Sequence, residues 1–326
     1  MSDGFFDSLS QMKTADYESL ESSSSFQTFL NDFENVKKIC DKGDTIPEIT
    51  LEKTSEILRK VRPNVNDYFS ITALHYINGG VETIEHLCYI LHSIIDNINN
   101  AALPEVNTVY ANILHKGHGK DKTLASSYRT ISSCPFIGKC LDTYVGELSA
   151  EDWNLAEAET QFQGSGLSHE HSALLLTEVI QHSLYVLKEP LFALFLDAKS
   201  AFDKALFQIL CRRLYLDGTK DQNLSFIIKR LENRITFCEW DKEIMGPIID
   251  QLGVEQGGKN SSEFWKIYNN EQLEVPQQTD FGVPVGNVLV ASVGQADDCV
   301  LLSSDLHKLK FLLLLTLQYC DKYQVE

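Results

Sequence analysis

The sequence predicts an α+β chain, and three observations carry that reading. Apolar runs too short for helices of their own occur at Leu191–Leu196, Val288–Val293 and Cys299–Leu302. Other stretches repeat apolar residues at helical spacing, as in Ile84, Leu87, Cys88, Leu91, Ile94 and Ile95. Val109–Leu114 and Tyr128–Ser132 flank a glycine- and lysine-containing loop and read as a hairpin.

In chain order, residues 1–45 are polar and acidic with a serine run at Ser22–Ser25. They read as a disordered arm with one short helix over Phe26–Ile39. Pro47–Arg62 reads as an amphipathic helix stopped by Pro63. Gly79-Gly80 breaks the chain before a helix over Val81–Asn97. The hairpin follows, then a helix over Phe136–Leu148 and a turn at Gln161–Gly166. Ser168 caps a long helix, His169–Leu187, which Pro190 ends. The run Leu191–Leu196 reads as a strand buried on both faces. A helix over Ala201–Leu216 closes at Gly218, with Arg212-Arg213 as a solvated end favoured by the helix dipole. Helices over Asn223–Asn233, Ser261–Asn270 and Asp305–Tyr323, and strands over Ile235–Trp240, Val288–Val293 and Cys299–Leu302, complete the chain.

The 326 residues carry 46 acidic against 28 basic side chains, a net charge of −18 that by itself opposes binding to phosphate backbones. The stretch 116–139 is the exception, with Lys116, Lys120, Lys122, Arg129 and Lys139 against Asp121 alone. Eight scattered cysteines without a C-x-x-C pair point to free thiols in a reducing compartment. The start lacks a basic region followed by an apolar core, so the expected location is intracellular, nuclear or cytoplasmic, and not secreted. Phe311–Leu315 is flanked too closely by charge to span a membrane, so no membrane association is expected. The pairs His115/His118 and His169/His171 lack cysteine partners and read as solvated, and Trp153, Trp240 and Trp265 are too dispersed for a stacking platform.

Three carboxylates stand out. Asp197 ends an apolar strand, where a carboxylate is costly unless a metal ion or hydrogen-bond donors satisfy it. Asp297 and Asp298 sit between two apolar strands, at a hairpin tip that presents both near one point. Each alone fits a cap or a turn; together they suit a pair of Mg²⁺ ions clamping a phosphoryl displacement.

Phe195-Leu196-Asp197-Ala198-Lys199-Ser200-Ala201-Phe202-Asp203 resembles the F-x-D-x-x-x-A-F-D motif of reverse transcriptases of the non-long-terminal-repeat (LINE-type) retrotransposons. Gln295-Ala296-Asp297-Asp298 resembles their Y-A-D-D motif, and Gly253–Gly257 running to Ser261 and Tyr268 resembles their G-x-R-Q-G-x-x-x-S-P-x-L-F-N-x-Y segment. Lys116-Gly117, Gly119–Asp121 and Tyr128–Ser132 resemble the fingers segment ending Y-R-P-I-S, and Gln161–Gly164 the Q-x-G-F-R turn. The motifs keep the family's order over roughly residues 65–325.

The resemblance implies a polymerase palm, an antiparallel sheet flanked by helices, with helical and hairpin fingers: a right-hand reverse transcriptase fold lacking the thumb. Residues 46–189 would form the fingers and N-terminal helices, and 190–326 an incomplete palm. Asp197, Asp297 and Asp298 would be the catalytic and metal-holding residues, with two Mg²⁺ ions. Phe202 would stack under the incoming sugar, Arg129 and Lys116 grip the triphosphate, and Gln256 and Gly257 touch nucleotide and template. The implied partners are an RNA template with a DNA primer and a deoxynucleoside triphosphate; whether a protein partner supplies the thumb is open. The expected source is a truncated or decaying element, and the alternative is a non-catalytic RNA- or protein-binding relic.

Departures from the family pattern are specific. Gln295 replaces the Tyr before Ala-Asp-Asp, and Glu255 replaces the Arg before Gln-Gly, putting negative charge where template or triphosphate is expected to pass. Ser262 and Thr130 replace prolines, and Ser165-Gly166 replaces Phe-Arg.

Overall fold

The computed structural model describes residues 20, 24–97, 104–117, 119–124, 127–155, 160–162, 167–232 and 234–325. Residues 1–19 and 21–23 of the expected arm, His118, and residues 163–166 of the expected turn lie outside them.

The described helices are α1 (Ser24–Cys40), α2 (Leu51–Lys60), α3 (Ala73–Asn78), α4 (Val81–Asp96), α5 (Pro104–Asn107), α6 (Phe136–Leu155), α7 (His169–Gln181), α8 (Ala201–Lys204), α9 (Phe207–Leu216), α10 (Asp221–Glu232), α11 (Ser261–Gln277) and α12 (Leu306–Tyr323). A wider π turn over His182–Leu187 continues α7. The strands are β1 (Thr108–His115), β2 (Tyr128–Ser133), β3 (Phe192–Asp197), β4 (Ile235–Trp240), β5 (Glu243–Ile249), β6 (Val283–Val285), β7 (Val288–Val290), β8 (Ser292–Gln295) and β9 (Asp298–Ser303).

Local chemistry explains where several of these begin and end. Helix α2 starts at Leu51 rather than Pro47, because the Thr50 hydroxyl accepts the Lys53 N–H at 3.1 Å and fixes the cap there. Asp305 caps α12, its carboxylate accepting from the N–H groups of His307 and Lys308 at 2.6 and 3.1 Å. The helix expected over Ala201–Leu216 is broken at Ala205-Leu206, where the chain turns extended. The Gly253 N–H takes the Ala205 carbonyl at 2.7 Å at that break.

The strands form three sheets, ordered β2-β1-β4-β5, β3-β9-β8 and β6-β7. The expected hairpin is present, β1 and β2 pairing antiparallel with His115 opposite Tyr128. Strand β4 joins it in parallel, and β5, which the sequence reading did not resolve, covers β4. The run Val288–Val293 is two strands, not one. Val288–Val290 turns back on β6, while Ser292–Gln295 crosses to β9, with Ala291 between them fully buried.

Strand β3 also departs from expectation. It is an edge strand, half-buried on one face and open on the other, with Phe195 68% exposed. Phe192, Leu194 and Leu196 pack against the cluster of Leu273, Leu301 and Leu312; Ala193, Phe195 and Asp197 look outward.

The main core is continuous across the chain. Phe26, Phe33, Ile57, Leu87 and Leu141 share it with Leu210, Phe226, Trp265, Tyr268 and Tyr323. Each such side chain contributes about 1.5–3 kcal/mol on burial. The pair Arg212-Arg213 is not a solvated helix end. Arg212 Nε meets Asp32 at 2.9 Å, holding α1 to α9, and Arg213 meets Glu271 of α11 at 3.4 Å. Among the described residues, no helix is long and apolar enough to cross a membrane.

Candidate active site

The three carboxylates come from two adjacent strands. In the antiparallel pair β3–β9, Asp197 lies directly opposite Asp298. In the pair β8–β9, Gln295 lies opposite Asp298, so Ala296 and Asp297 form a two-residue connection. Ala296 takes a left-handed backbone, φ 58°, which an L side chain adopts only under constraint. The register puts Asp197 and Asp298 side by side and hangs Asp297 in the turn beside them.

The electrostatics agree with that placement. Burial pushes the Asp298 carboxyl above its ordinary value, and the neighbouring charges of Asp297 and Asp197 push it further. None of the three carboxylates has a cationic or hydrogen-bonding partner among the described residues. Hard oxygen donors with uncompensated charge suit a hard divalent cation. As they stand, no three His, Cys, Asp or Glu side chains among the described residues lie close enough to hold an ion between them, so these carboxylates must turn toward one another to share one.

A cleft of about 410 Å³ opens beside the carboxylates, lined by Ser172 and Leu176 of α7, Phe195 and Asp197 of β3, and Val293, Gln295 and Asp298. The departure at Gln295 sits in it, its side-chain carbonyl 3.4 Å from the Ser172 hydroxyl. On the far edge of β8, Gln161 adds an isolated bridge to Gly294, whose N–H takes the Thr160 carbonyl at 2.9 Å and whose carbonyl accepts the Phe162 N–H at 3.0 Å. The segment singled out by Gln161 thus extends the carboxylate-bearing sheet.

The loop Gly253–Gly257 joins this region to the four-stranded sheet. The Val254 N–H takes the Phe202 carbonyl at 2.8 Å, and the Gln256 carbonyl accepts the Ser132 N–H at 2.8 Å. Both glycines are demanded by geometry. Gly253 has φ 86° and passes so close that a Cβ would meet the Asp203 carbonyl at 2.7 Å; Gly257 has φ 110° and would meet that of Ser132 at 2.8 Å. Two buried ion pairs anchor this loop. Arg234 meets Asp250 at 2.5 Å and donates to the Leu252 and Gly253 carbonyls at 3.1 Å. Arg230 holds Asp142 at 2.9 Å and lies 3.9 Å from Glu255.

That second cluster settles where Glu255 points. It turns inward, accepting a hydrogen bond from the Cys134 thiol and facing Arg230, so its charge is neutralised inside the protein rather than presented to a template. Burial raises the Cys134 thiol far above its ordinary value, with Glu255 adding to it.

Phe202 is half-buried, its ring 5.8 Å from that of Trp265. Arg129 stands exposed on β2, opposite Leu114, and makes no ion pair among the described residues. Lys116 is half-buried at the end of β1, its N–H on the Ser127 carbonyl at 2.8 Å. Arg129 and Lys116 therefore belong to the four-stranded sheet, not to the sheet of the carboxylates. The sequence reading missed Trp265. Its indole N–H donates to the Ala296 carbonyl at 2.9 Å, at the turn that carries Asp297. The available signal was a tryptophan in the helix that follows the Gly253–Gly257 loop, and not any pattern among tryptophans.

The family profile described as reverse transcriptase (RNA-dependent DNA polymerase) matches residues 115–326. The chain belongs to the reverse transcriptase family. The matched residues hold both strands of the carboxylate site, the Gly253–Gly257 loop and the β2 arginine, and the mixed α/β fold with a central sheet flanked by helices is the reverse transcriptase fold. Reverse transcriptase domains generally use divalent metal ions, RNA templates and nucleotide substrates. No curated protein matches the chain. Among solved structures, apo telomerase from Candida tropicalis truncated from its C-terminal domain is similar at 12% identity, covering 69% of this chain and 49% of that one, with a TM-score of 0.48. This chain thus spans about half the length of that one.

Proposed function

We propose that this chain is the fingers and palm of a LINE-type RNA-directed DNA polymerase that extends a DNA primer on an RNA template with two Mg²⁺ ions. The observation that carries the reading is the register of the carboxylates: Asp197 opposite Asp298, and Asp297 in the turn next to both. In the reaction the primer 3′-hydroxyl attacks the α-phosphorus of a deoxynucleoside triphosphate. A new P–O bond forms, the bond to the bridging oxygen breaks, and pyrophosphate leaves.

The ions, when bound, supply Lewis acidity and neutralise the charge that develops on the phosphoryl oxygens. Asp197 and Asp297 would hold them, with Asp298 beside. Arg129, exposed and without an ion-pair partner among the described residues, is suited to a triphosphate through its forked guanidinium. Phe202, half-buried and braced by Trp265, would lie under the incoming sugar and exclude a 2′-hydroxyl. Gln256 and Gly257 are fixed against β2 at Ser132, between the arginine and the carboxylates in the chain of contacts.

Primer extension on an RNA template tests the reading. Asp197→Ala should lower the rate about a thousandfold, the scale of several kcal/mol of lost charge stabilisation. Product that persists unchanged in Asp197→Ala, or a wild type that makes none, overturns it. RNA retention that survives loss of all three aspartates would instead mark a non-catalytic binding module.

A further inference from the structure

We infer that Trp265 is a positioning residue for the active-site turn, one that ties the aim of Asp297 to the placement of Phe202. This rests on the polymerase reading for its consequence, though not for its geometry. Trp265 is 1% exposed, yet its indole N–H needs an acceptor, since a buried donor without one bears its full desolvation penalty. The acceptor is the Ala296 carbonyl, at 2.9 Å. Ala296 is the first residue of the two-residue connection between β8 and β9 and holds φ 58°. A non-glycine residue keeps such a backbone only where its surroundings fix it, and one strong donor on its carbonyl does so. That carbonyl belongs to the peptide unit leading into Asp297, so fixing it fixes where the Asp297 side chain starts.

The same ring packs on the other side. Trp265 lies 5.8 Å from Phe202 and stacks on Tyr268 at 5.6 Å. Tyr268 is itself anchored, its hydroxyl donating to the Tyr323 carbonyl at 2.6 Å while its own carbonyl accepts from the Tyr319 hydroxyl at 2.7 Å. Helix α11 is thereby pinned to α12, and Trp265 projects from a rigid base. One side chain therefore sets both the carboxylate turn and the aromatic beneath the sugar. A phenylalanine at this position loses the bond to the turn together with one ring of buried packing, whereas benzothienylalanine loses the bond alone.

The decisive measurement is hydrogen–deuterium exchange over residues 293–300 in the wild type and Trp265→Phe, with the thermal midpoint as a folding control. The bond predicts that exchange at Asp298, paired with Gln295 across the turn, speeds up by about tenfold in Trp265→Phe, the scale of one net hydrogen bond, beyond any rise shared by amides remote from the turn. Unchanged exchange overturns the inference. Should Trp265→Phe fail to fold, benzothienylalanine at position 265, which keeps the bicyclic ring and replaces N–H by sulfur, gives the same comparison.

A second readout uses Mn²⁺ alone, without substrate. The loosened turn should raise the Mn²⁺ concentration for half-saturation and lower kcat in primer extension; with benzothienylalanine, which keeps the ring against Phe202, KM for the nucleotide should stay unchanged. Wild-type Mn²⁺ affinity in the variant would also overturn the inference. A wild type with no Asp197-dependent extension overturns the polymerase reading only, and the exchange comparison still decides the role of Trp265.

Discussion

Acidic side chains are used differently on the two larger sheets. Around the four-stranded sheet, Asp142 and Glu255 face Arg230, and Asp250 faces Arg234, all inside the protein. On the three-stranded sheet, Asp197, Asp297 and Asp298 lie near one another at the strand ends, without a cation among the described residues. Both arrangements cost free energy to assemble. In the first the cost is offset by arginines from the chain itself, in an interior where losing either partner strands a charge. In the second it is left outstanding at the surface, where water moderates it and an ion from solution can offset it. The contrast separates carboxylates paired inside the fold from carboxylates left unpaired at the surface.

The largest expected effect breaks the first arrangement. Arg230→Met removes the partner of Asp142 and Glu255, and with it the donors to the Val106 carbonyl at 2.6 Å and the Asn107 side chain at 2.8 Å. Destabilisation of about 3–5 kcal/mol is expected, the cost of an uncompensated buried charge, read as a lower urea midpoint. A loss under about 1 kcal/mol would mean that the cluster does not anchor the loop. With Glu255 turned toward Arg230, this position contributes to the buried pairing.

Much of this was legible in the residues. The spacing of Asp197 from Phe202 and the Asp297-Asp298 pair carried the family resemblance, and the β1–β2 hairpin followed from two strand-like runs around a glycine- and lysine-containing loop. The exposure of β3 was not legible, because an apolar run does not say whether a neighbour covers both faces. Phe195 points outward although nothing in Leu194-Phe195-Leu196 sets it apart. The split at Ala291 was hidden for a similar reason, since both halves are β-forming and only their different partners part them. The inward turn of Glu255 depends on Arg230 and Cys134, 25 and 121 positions away in the chain. Long-range pairing of that kind leaves no local signal.

A smaller effect sharpens the second arrangement. A divalent ion that binds only the folded carboxylates should raise stability by about 1.4 kcal/mol at ten times its dissociation constant. Mg²⁺ should therefore raise the thermal midpoint of the wild type, EDTA should reverse the rise, and Asp197→Ala should show neither. An equal rise in Asp197→Ala would assign the ion to some other site.

The smallest effect concerns the charges alone. Asp298 lies opposite Asp197, and like charges directly opposite on paired strands destabilise by about 0.2–1 kcal/mol. Asp298→Asn should therefore be more stable than the wild type by about that amount at neutral pH without divalent ions. The pH dependence carries the sign. The folded Asp298 carboxyl is raised above its unfolded value, so between the two values the folded state holds more protons, and stability falls as pH rises through that window. Asn at this position removes the fall, flattening the stability profile on the acidic side. Added salt should shrink the difference, since Asp197 and Asp298 are exposed and screened. Added Mg²⁺ should invert it, because the ion stabilises the wild type through charges the variant has lost. A variant no more stable than the wild type, with the acidic slope intact, would show that the three carboxylates do not repel one another, and the contrast between the two sheets would fail on the side of the proposed site.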